Sequence, residues 1–243
     1  MSDLLRVTNL TKTFGELTAV DNCSFAVEEG SITALIGPNG SGKTTVFNLI
    51  TGYLPSDSGT VEFAGSTIHK EGPGALYRKG LTRTFQQARV FADLTVQENL
   101  VVARGGTLKS FFGRRISADD RMRAAELLDE FKLSHVADLY ASELSWGQRK
   151  LLEFASVLMS KPRLVLLDEP TAGVNPILIE TMATHIRSYN DAGVTFLIVE
   201  HDMSFVMRVC NPVIVLDRGK TIATGNPETV QSDPRVLDAY LGD

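Results

Sequence analysis

Short segments in which apolar and polar positions alternate fill the first part of the chain. This alternation predicts β-strands over Leu4–Asn9, Ala19–Val27, Ser31–Ile36 and Thr60–Phe63, with turns rich in glycine and acidic residues between them. In this part the apolar residues recur at helical spacing only over Thr44–Thr51. The amino-terminal part is therefore predicted to be rich in β-structure.

The middle of the chain has helical spacing instead. Between Asp119 and Leu133 the apolar residues recur at the separations that place them on one face of a helix. A second stretch of this kind runs from Trp146 to Ser160. We therefore expect a mostly helical lobe that is inserted into a β-rich core.

After Lys161 the pattern returns to strand, helix and strand. The three segments are Leu164–Leu167, Ile177–Asn190 and Thr195–Glu200. Two parallel strands need a long crossover connection, which is usually a helix, so this alternation predicts a parallel sheet. Ligands of such sheets bind beyond the carboxyl ends of the strands.

The end of the chain predicts a hairpin of Val213–Leu216 with Lys220–Ala223, followed by a short helix over Pro234–Leu241. Together the segments predict an α/β fold with a parallel-sheet core, an amino-terminal antiparallel β subdomain and an inserted α-helical subdomain. We expect one domain over 1–243, with the core and β subdomain at 1–86 and 161–223, the helical subdomain at 87–160 and a carboxy-terminal tail at 224–243.

Composition narrows the choice of partners and location. The 243 residues include 24 Lys and Arg against 29 Asp and Glu, a formal net charge of -5, so we expect no broad basic face and no nucleic acid partner. Residues 1–6 lack the apolar core of a signal peptide, and no run is long enough to span a bilayer, so we expect a cytoplasmic protein. Cys23 and Cys210 are isolated, and we expect both to be small buried residues.

A glycine-rich motif directly after Ser31–Ile36 predicts a phosphate-binding loop. Residues 37–44 fit the pattern G-x-x-x-x-G-K-[ST], in which the glycines let backbone N–H groups surround a polyphosphate. In this pattern Lys43 brings a positive charge to the β- and γ-phosphates, and Thr44 can ligate Mg²⁺. The alternative is a glycine-rich turn without a ligand. The candidate nucleotide-binding residues of this loop are Gly37, Pro38, Asn39, Gly40, Ser41, Gly42, Lys43, Thr44 and Thr45.

Two acidic residues end the apolar strand Leu164–Leu167. In phosphoryl transfer the first carboxylate of such a pair can support Mg²⁺ and the second can face an attacking water, which assigns these roles to Asp168 and Glu169. The alternative is a strand that ends in a polar turn. Gly37, the acidic pair and His201 each follow an apolar strand, so we expect three strand ends to meet at one phosphate site.

A further motif opens the helix predicted from Trp146. Ser145 and Gln148 fit the capping box S/T-x-x-E/Q, which by itself marks only the start of a helix. A helix N-terminus with a glycine, here Gly147, is also a site where an anion can approach. Since the chain already has a phosphate loop, a second anion site is useful if it completes the site of another copy.

The phosphate loop, the string Leu144–Gln148, the pair Asp168–Glu169 and His201 occur in the order that defines ATP-binding-cassette (ABC) ATPases. The chain resembles this family over most of its length. The resemblance implies a P-loop NTPase (RecA-like) core, ATP and Mg²⁺ as cofactors, and hydrolysis of ATP to ADP and phosphate. It also implies that two subunits sandwich two ATP molecules head to tail. The residues that would contact ATP of the opposite subunit are Ser145, Gly147 and Gln148.

The same resemblance implies roles at other positions. Phe14 resembles the aromatic residue that stacks on adenine, and Gln86 resembles the glutamine that reaches Mg²⁺ and the attacking water. His201 resembles the switch histidine that hydrogen-bonds the γ-phosphate. An ordinary core aromatic is the alternative for Phe14, and for Gln86 the alternatives are a surface side chain or a role for Gln87 instead. Asn175 stands where many ABC ATPases carry an acid, which puts a proton-handling role of that position in doubt.

Three stretches, Gly80–Gln86, a lobe segment at 105–115 and the ending Pro234–Gly242, resemble the ATP-binding subunits of branched-chain (hydrophobic) amino acid importers. That resemblance implies a second ABC ATPase subunit in a homodimer or heterodimer, integral membrane permease subunits and, indirectly, an extracytoplasmic substrate-binding protein. It implies a location on the cytoplasmic face of the inner (plasma) membrane. Urea or amide uptake, lipopolysaccharide export and a soluble ABC ATPase such as an iron–sulfur assembly factor are the alternatives.

The segment Arg89–Val96 mixes apolar and charged residues directly after the glutamine at 86. We expect it to line a groove for a short cytoplasmic helix of a permease, which would transmit closure of the ATP sandwich to the membrane. The alternative is that Phe91 and Leu94 only pack the helical lobe.

Overall fold

The computed structural model describes residues 2–85, 90–104 and 117–241. Its larger sheet has six strands in the order β10-β9-β3-β8-β7-β6. All neighbours in this sheet are parallel except β9 and β10, which form the predicted antiparallel hairpin. The parallel core predicted from the sequence is therefore confirmed. The strands are β3 (Ile32–Ile36), β6 (Leu81–Arg83), β7 (Leu164–Asp168), β8 (Thr195–Val199), β9 (Val213–Asp217) and β10 (Lys220–Gly225).

The smaller sheet is the predicted antiparallel subdomain. Its four strands lie in the order β2-β1-β4-β5. Two of them are longer than the sequence predicted, because their pairing continues to the turn at Gly15, where Phe14 faces Leu17. Gly15 has a φ of +59°, a backbone conformation that glycine adopts without steric cost. The strands are β1 (Asp3–Phe14), β2 (Leu17–Glu28), β4 (Ser58–Phe63) and β5 (Ser66–Thr67).

The five helices that the sequence predicted are present, with ends that differ by up to three residues. The described ranges contain four further short helices that were not predicted individually. The longest of them has a signal that could have revealed it, since Thr95 and Glu98 form a complete capping box. In the described part of the chain the helices are α1 (Lys43–Ile50), α2 (Pro73–Arg78), α3 (Val96–Ala103), α4 (Ala118–Glu130), α5 (Trp146–Leu158), α6 (Pro176–Asp191), α7 (Met203–Val209), α8 (Pro227–Gln231) and α9 (Pro234–Leu241), with 3-10 turns at Ser134–Val136 and Ala141–Glu143.

The core lies on both faces of the six-stranded sheet. Alternate residues of a strand point to opposite faces, so Ala34 belongs to one buried cluster and Leu35 to the other. Every residue of β3, β7 and β8 is buried, as expected of strands that are covered on both sides. The buried apolar residues of α4 and α5 join the first cluster, which fastens the helical lobe to one face of the sheet.

The two cysteines behave as the sequence predicted. Cys23 and Cys210 are both buried and free, and burial raises the pKa of their thiols to about 11 and about 12. A thiol with such a pKa carries almost no thiolate at neutral pH, so neither is a reactive nucleophile. Within the described ranges, no helix combines the length and the apolar character needed to cross a bilayer.

Candidate functional site

The carboxyl ends of β3, β8 and β7 lie side by side, since these strands are consecutive in the sheet. Gly37 follows β3, Asp168 and Glu169 end and follow β7, and His201 comes soon after β8. The predicted meeting of three strand ends is therefore confirmed. We call residues 37–45 together with Asp168, Glu169 and His201 the strand-end site.

The phosphate loop approaches neighbouring backbone more closely than any side chain would allow. A Cβ atom at Gly37 would lie 2.0 Å from the carbonyl oxygen of Leu216, and one at Gly42 would lie 2.5 Å from that of Ala19. Gly42 has a φ of +102° and precedes α1 without a side-chain cap, so the first N–H groups of α1 find no side-chain acceptor at this residue. An anion bound in the loop can accept from such groups. Asn39, Gly40 and Thr44 are exposed, and Pro38, Lys43 and Thr45 are partly buried.

Lys43 reaches back over the loop. Its Nζ donates to the backbone oxygens of Gly37 at 2.8 Å and Pro38 at 2.9 Å. Burial lowers the pKa of Lys43 below its ordinary value, while the charges of Glu169 and Asp168 oppose that shift. A bound polyphosphate would give this half-buried ammonium group a direct anionic partner.

Asp168 is buried beside an arginine that the sequence analysis did not single out. Arg83, the last residue of β6, donates from Nη2 to Asp168 Oδ2 at 2.7 Å and from Nη1 to Asn48 Oδ1 at 2.6 Å. The side chains of this ion pair are only 5% and 4% exposed. The pair therefore ties the end of β7 to α1, the helix that follows the phosphate loop.

Glu169 has a backbone conformation that is unusual for its residue type. Its φ is +48°, and its N–H donates to the oxygen of Val199 at 2.9 Å, which fixes it to the end of β8. A side chain in this left-handed region costs about 1–2 kcal/mol, and such costs are typical of functional positions. His201 Nδ1 lies 4.0 Å from Glu169 Oε1, and the histidine side chain is 64% exposed.

The start of α5 is the capping box that the sequence predicted. Ser145 Oγ accepts from the N–H of Gln148 at 3.3 Å, and Gln148 Oε1 accepts from the N–H of Ser145 at 2.9 Å. Ser145 and Trp146 are exposed, while Gly147 and Gln148 are partly buried. We call residues 145–148 the signature turn. A Cβ atom at Gly147 would lie 2.9 Å from Leu178 Cδ2, so the turn packs against the start of α6.

The structure describes Phe14 but not the glutamine at position 86. The Phe14 side chain is 45% exposed at the hairpin turn, with Lys12 Nζ at 5.6 Å from its ring centroid, so its ring can receive a stacked base. Gln86 lies outside the described residues, as do Gln87 and Arg89. Phe85, directly before them, donates from its backbone N–H to Glu153 Oε1 on α5 at 3.0 Å.

Three charged residues near the site were missed from the sequence. Arg83 is the first, and Glu153 and Glu200 are both buried. A signal was present for two of them: Glu153 falls on the buried face of an amphipathic helix, and Glu200 directly follows a strand whose residues are all buried. A charge at a position that the period assigns to the core needs partners, and those partners are often functional.

The last helix also reaches the phosphate loop. Burial raises the pKa of the Tyr240 hydroxyl, and a hydrogen bond with the backbone of Gly37 opposes that shift. Tyr240 belongs to α9, so the carboxy-terminal segment lies beside the first glycine of the loop.

Comparison with known proteins gives consistent matches. Residues 20–172 match the family model described as ABC transporter, and residues 220–243 match one described as branched-chain amino acid ATP-binding cassette transporter. The probable branched-chain amino acid transport ATP-binding protein LivG of Methanocaldococcus jannaschii is 39% identical over 252 residues, which cover 99% of this chain and 98% of that protein.

A second relative and a solved structure agree with these matches. The high-affinity branched-chain amino acid transport ATP-binding protein BraF of Pseudomonas aeruginosa is 38% identical over 250 residues, covering 99% of this chain and 98% of that protein. The crystal structure of the ADP conformation of MJ1267, an ATP-binding cassette of an ABC transporter, superposes with a TM-score of 0.90 at 38% identity and covers 100% of both chains.

Proposed function

This chain belongs to the ABC transporter family, and we propose that it powers the uptake of branched-chain or other hydrophobic amino acids through a membrane permease. It is an ATP-binding subunit with the ATPase activity of that family. The observation that carries the choice of substrate is the match of residues 220–243 to the branched-chain amino acid transporter model, together with relatives of that name along the whole chain. This segment lies beyond the residues 20–172 that match the general ABC transporter model, so its match adds information beyond the shared motifs.

In the proposed mechanism the strand-end site binds ATP and positions water for hydrolysis. The N–H groups of the loop and Lys43 hold the β- and γ-phosphates, and Phe14 stacks on adenine. Glu169 accepts a proton from an in-line water, while His201 hydrogen-bonds the γ-phosphate. This assignment is supported by the adjacency of the three strand ends and by the left-handed backbone of Glu169. Gln86 lies outside the described residues, and its role beside the attacking water is proposed from the family resemblance alone.

Magnesium fits this site as a companion of the nucleotide. Within the described ranges no group of three or more His, Cys, Asp or Glu side chains could hold a metal, which agrees with an ion that relies on phosphate oxygens and water. Thr44, Asp168 and Gln86 are the residues that would hold it. When bound, Mg²⁺ neutralises charge on the β- and γ-phosphates.

Hydrolysis needs a second subunit in this proposal. The signature turn of one subunit faces ATP in the strand-end site of the other, so that Ser145, Gly147 and Gln148 complete the phosphate cage. The exposure of Ser145 and Trp146 supports this arrangement. The partner is a second copy or a related ABC ATPase.

The proposed link to the permease is the segment Arg89–Val96. Phe91 is 45% exposed, and its backbone is held in place by the buried Asn99, which accepts from the Phe91 N–H at 2.7 Å and donates to its oxygen at 3.0 Å. A rigid loop with an exposed aromatic side chain suits a helix-in-groove contact. The subunit would then sit at the cytoplasmic face of the inner (plasma) membrane, with a substrate-binding protein on the other side.

Uptake in the native host tests the proposed substrate. Cells that lack this chain are complemented with the wild-type protein or with Glu169→Gln, and entry of labelled leucine, isoleucine and valine is compared with that of urea. We expect only the wild-type chain to restore amino acid uptake, and we expect permease subunits to copurify with Glu169→Gln in mild detergent with ATP. Unchanged amino acid uptake in the deletion strain, or restoration of urea uptake alone, contradicts the proposed substrate.

A further inference from the structure

We propose that Glu200 is a positioning residue that holds the loops carrying Glu169 and His201 in the arrangement needed for ATP hydrolysis. The inference rests on the proposed function, because it concerns the geometry of the two residues to which that function assigns the chemistry. Glu200 itself points away from solvent, with 1% of its surface exposed, and is assigned no contact with the nucleotide.

The carboxylate of Glu200 binds two different loops, one with each oxygen. Oε2 accepts from the N–H of Thr171 at 3.2 Å and from its hydroxyl at 2.7 Å. Oε1 accepts from the N–H of His201 at 2.9 Å and from that of Asp202 at 3.3 Å. Thr171 lies two residues after Glu169, so one buried side chain joins the loop of the proposed base to the loop of the proposed switch histidine.

The donors on both sides explain why this residue is a glutamate. All four groups donate hydrogen bonds, and a carboxylate is the side chain that accepts on both of its oxygens without carrying a proton. A glutamine would turn its NH₂ group toward at least one backbone N–H, which cannot accept: either that of Thr171, whose hydroxyl could still accept, or those of His201 and Asp202. A donor facing a donor in a buried site loses its hydrogen bond and the free energy that comes with it.

The network also sets the position of the histidine relative to the base. His201 Nδ1 lies 3.4 Å from Glu200 Oε1 and 4.0 Å from Glu169 Oε1. On the far side, Asp202 caps α7 by accepting from the N–H groups of Ser204 and Phe205. The loop at 200–202 is thus held between a buried strand and a capped helix. The Glu200 side chain joins it to the loop after β7, beside the backbone hydrogen bond from Glu169 to Val199.

Three variants test the inference: Glu200→Gln, Thr171→Val, which removes only the hydroxyl, and Thr171→Ser, which keeps it. Each full-length protein is assayed for ADP affinity by calorimetry, for thermal unfolding and for the hydrolysis rate per mole of folded protein. Because small displacements of catalytic groups lower rates strongly, we expect Glu200→Gln to slow hydrolysis by about tenfold or more. We expect ADP affinity to stay within about threefold, since phosphate binding uses the separate loop at 37–45.

The threonine variants keep the test valid if Glu200→Gln does not fold. We expect Thr171→Val to slow hydrolysis by roughly threefold and Thr171→Ser to match the wild-type rate, because only the former loses one hydrogen bond to the carboxylate. We also expect the double variant Glu200→Gln with Thr171→Val to be no slower than Glu200→Gln alone, since residues of one network are not additive.

Several outcomes would overturn the inference. A folded Glu200→Gln protein with the wild-type hydrolysis rate overturns it, and so does a rate per mole of total protein that falls only in proportion to the unfolded fraction. If Glu200→Gln does not fold, equal rates for the two Thr171 variants overturn it. Glu169→Gln and His201→Ala are measured in the same assay: normal hydrolysis in those two contradicts the proposed roles of the residues themselves, whereas their loss of activity beside normal Glu200 and Thr171 variants contradicts only this inference.

Discussion

The strand-end site and the signature turn are anchored in opposite ways. Residues of the first are held by partners far apart in sequence, such as Arg83 on Asp168 and Val199 on Glu169. The second is held largely by itself, because Ser145 and Gln148 satisfy each other within one turn and the serine remains exposed. The strand-end site is therefore assembled by contacts between distant parts of the chain. The signature turn is held by its own hydrogen bonds, and its proposed ligand comes from another subunit.

Loss of the Lys43 charge should have the largest effect on nucleotide binding at the strand-end site. Hydrogen bonds between charged groups are worth about 1.5–3 kcal/mol, so we expect Lys43→Ala to weaken nucleotide binding by roughly 10- to 100-fold. Calorimetric titration with ADP measures the change. Lys70→Ala, which removes a charge from an exposed position, is the control and should bind normally. Normal ADP binding by Lys43→Ala would break the assignment of the phosphate loop.

A change in the signature turn should leave nucleotide binding intact and slow hydrolysis. Removing one donor to a developing charge commonly costs a factor of about 100, so we expect Ser145→Ala to lower the hydrolysis rate by at least about tenfold with ADP affinity unchanged. The matched control is Thr95→Ala, which removes a capping box of the same kind from α3.

Both substitutions should cost about 1 kcal/mol of unfolding free energy, as loss of an N-cap does. Only Ser145→Ala should affect hydrolysis. Equal hydrolysis rates in the two variants would mean that Ser145 is a helix cap and nothing more.

Loss of the adenine contact should have an intermediate effect on nucleotide binding at the strand-end site. Stacking of a base on an aromatic ring is worth about 1–3 kcal/mol, so we expect Phe14→Ala to weaken nucleotide binding by about tenfold. Leu17, the cross-strand neighbour of Phe14, is 68% exposed and provides the control Leu17→Ala. If both substitutions weaken binding equally, the ring of Phe14 does not contact the base.

Asn175 caps α6, the helix against which the signature turn packs, and should tolerate a charge. Its side chain caps α6 by accepting from the N–H of Leu178 at 2.9 Å, and aspartate caps helices equally well. We expect Asn175→Asp to change the unfolding free energy by less than about 0.5 kcal/mol and the hydrolysis rate by less than about twofold, as for a surface change. A tenfold change in hydrolysis would indicate that charge at this position takes part in the reaction.

The contrast between residues held by local contacts and residues held by distant partners also explains what the sequence could predict. The phosphate loop and the capping box are contiguous motifs whose geometry is local, so residues 37–44 and 145–148 were identified from spacing alone. The strands predicted at Leu164–Leu167 and Thr195–Glu200 agree with the buried strands β7 and β8 to within one residue, because a continuous apolar run between turns has few alternatives.

The partners that come together only through tertiary structure were not predicted. Arg83 closes a strand of three residues that exists because it pairs with β7, and its contact with Asp168 joins positions 85 residues apart. Glu200 contacts Thr171 across a separation of 29 residues. Periodicity reports which face of an element a residue occupies, but it does not report which other element lies opposite.

The association of Glu169→Gln subunits with ATP tests the central claim, that two chains close around shared nucleotide, most directly. The chain has one tryptophan, Trp146, which is 44% exposed in the signature turn and would be covered in the closed pair. Light scattering and Trp146 fluorescence are measured together on this variant with saturating Mg·ATP and with ADP. We predict a dimer with shifted tryptophan emission in ATP and a monomer with unshifted emission in ADP. A monomer with unchanged fluorescence at saturating ATP would contradict a site shared between two copies of this chain.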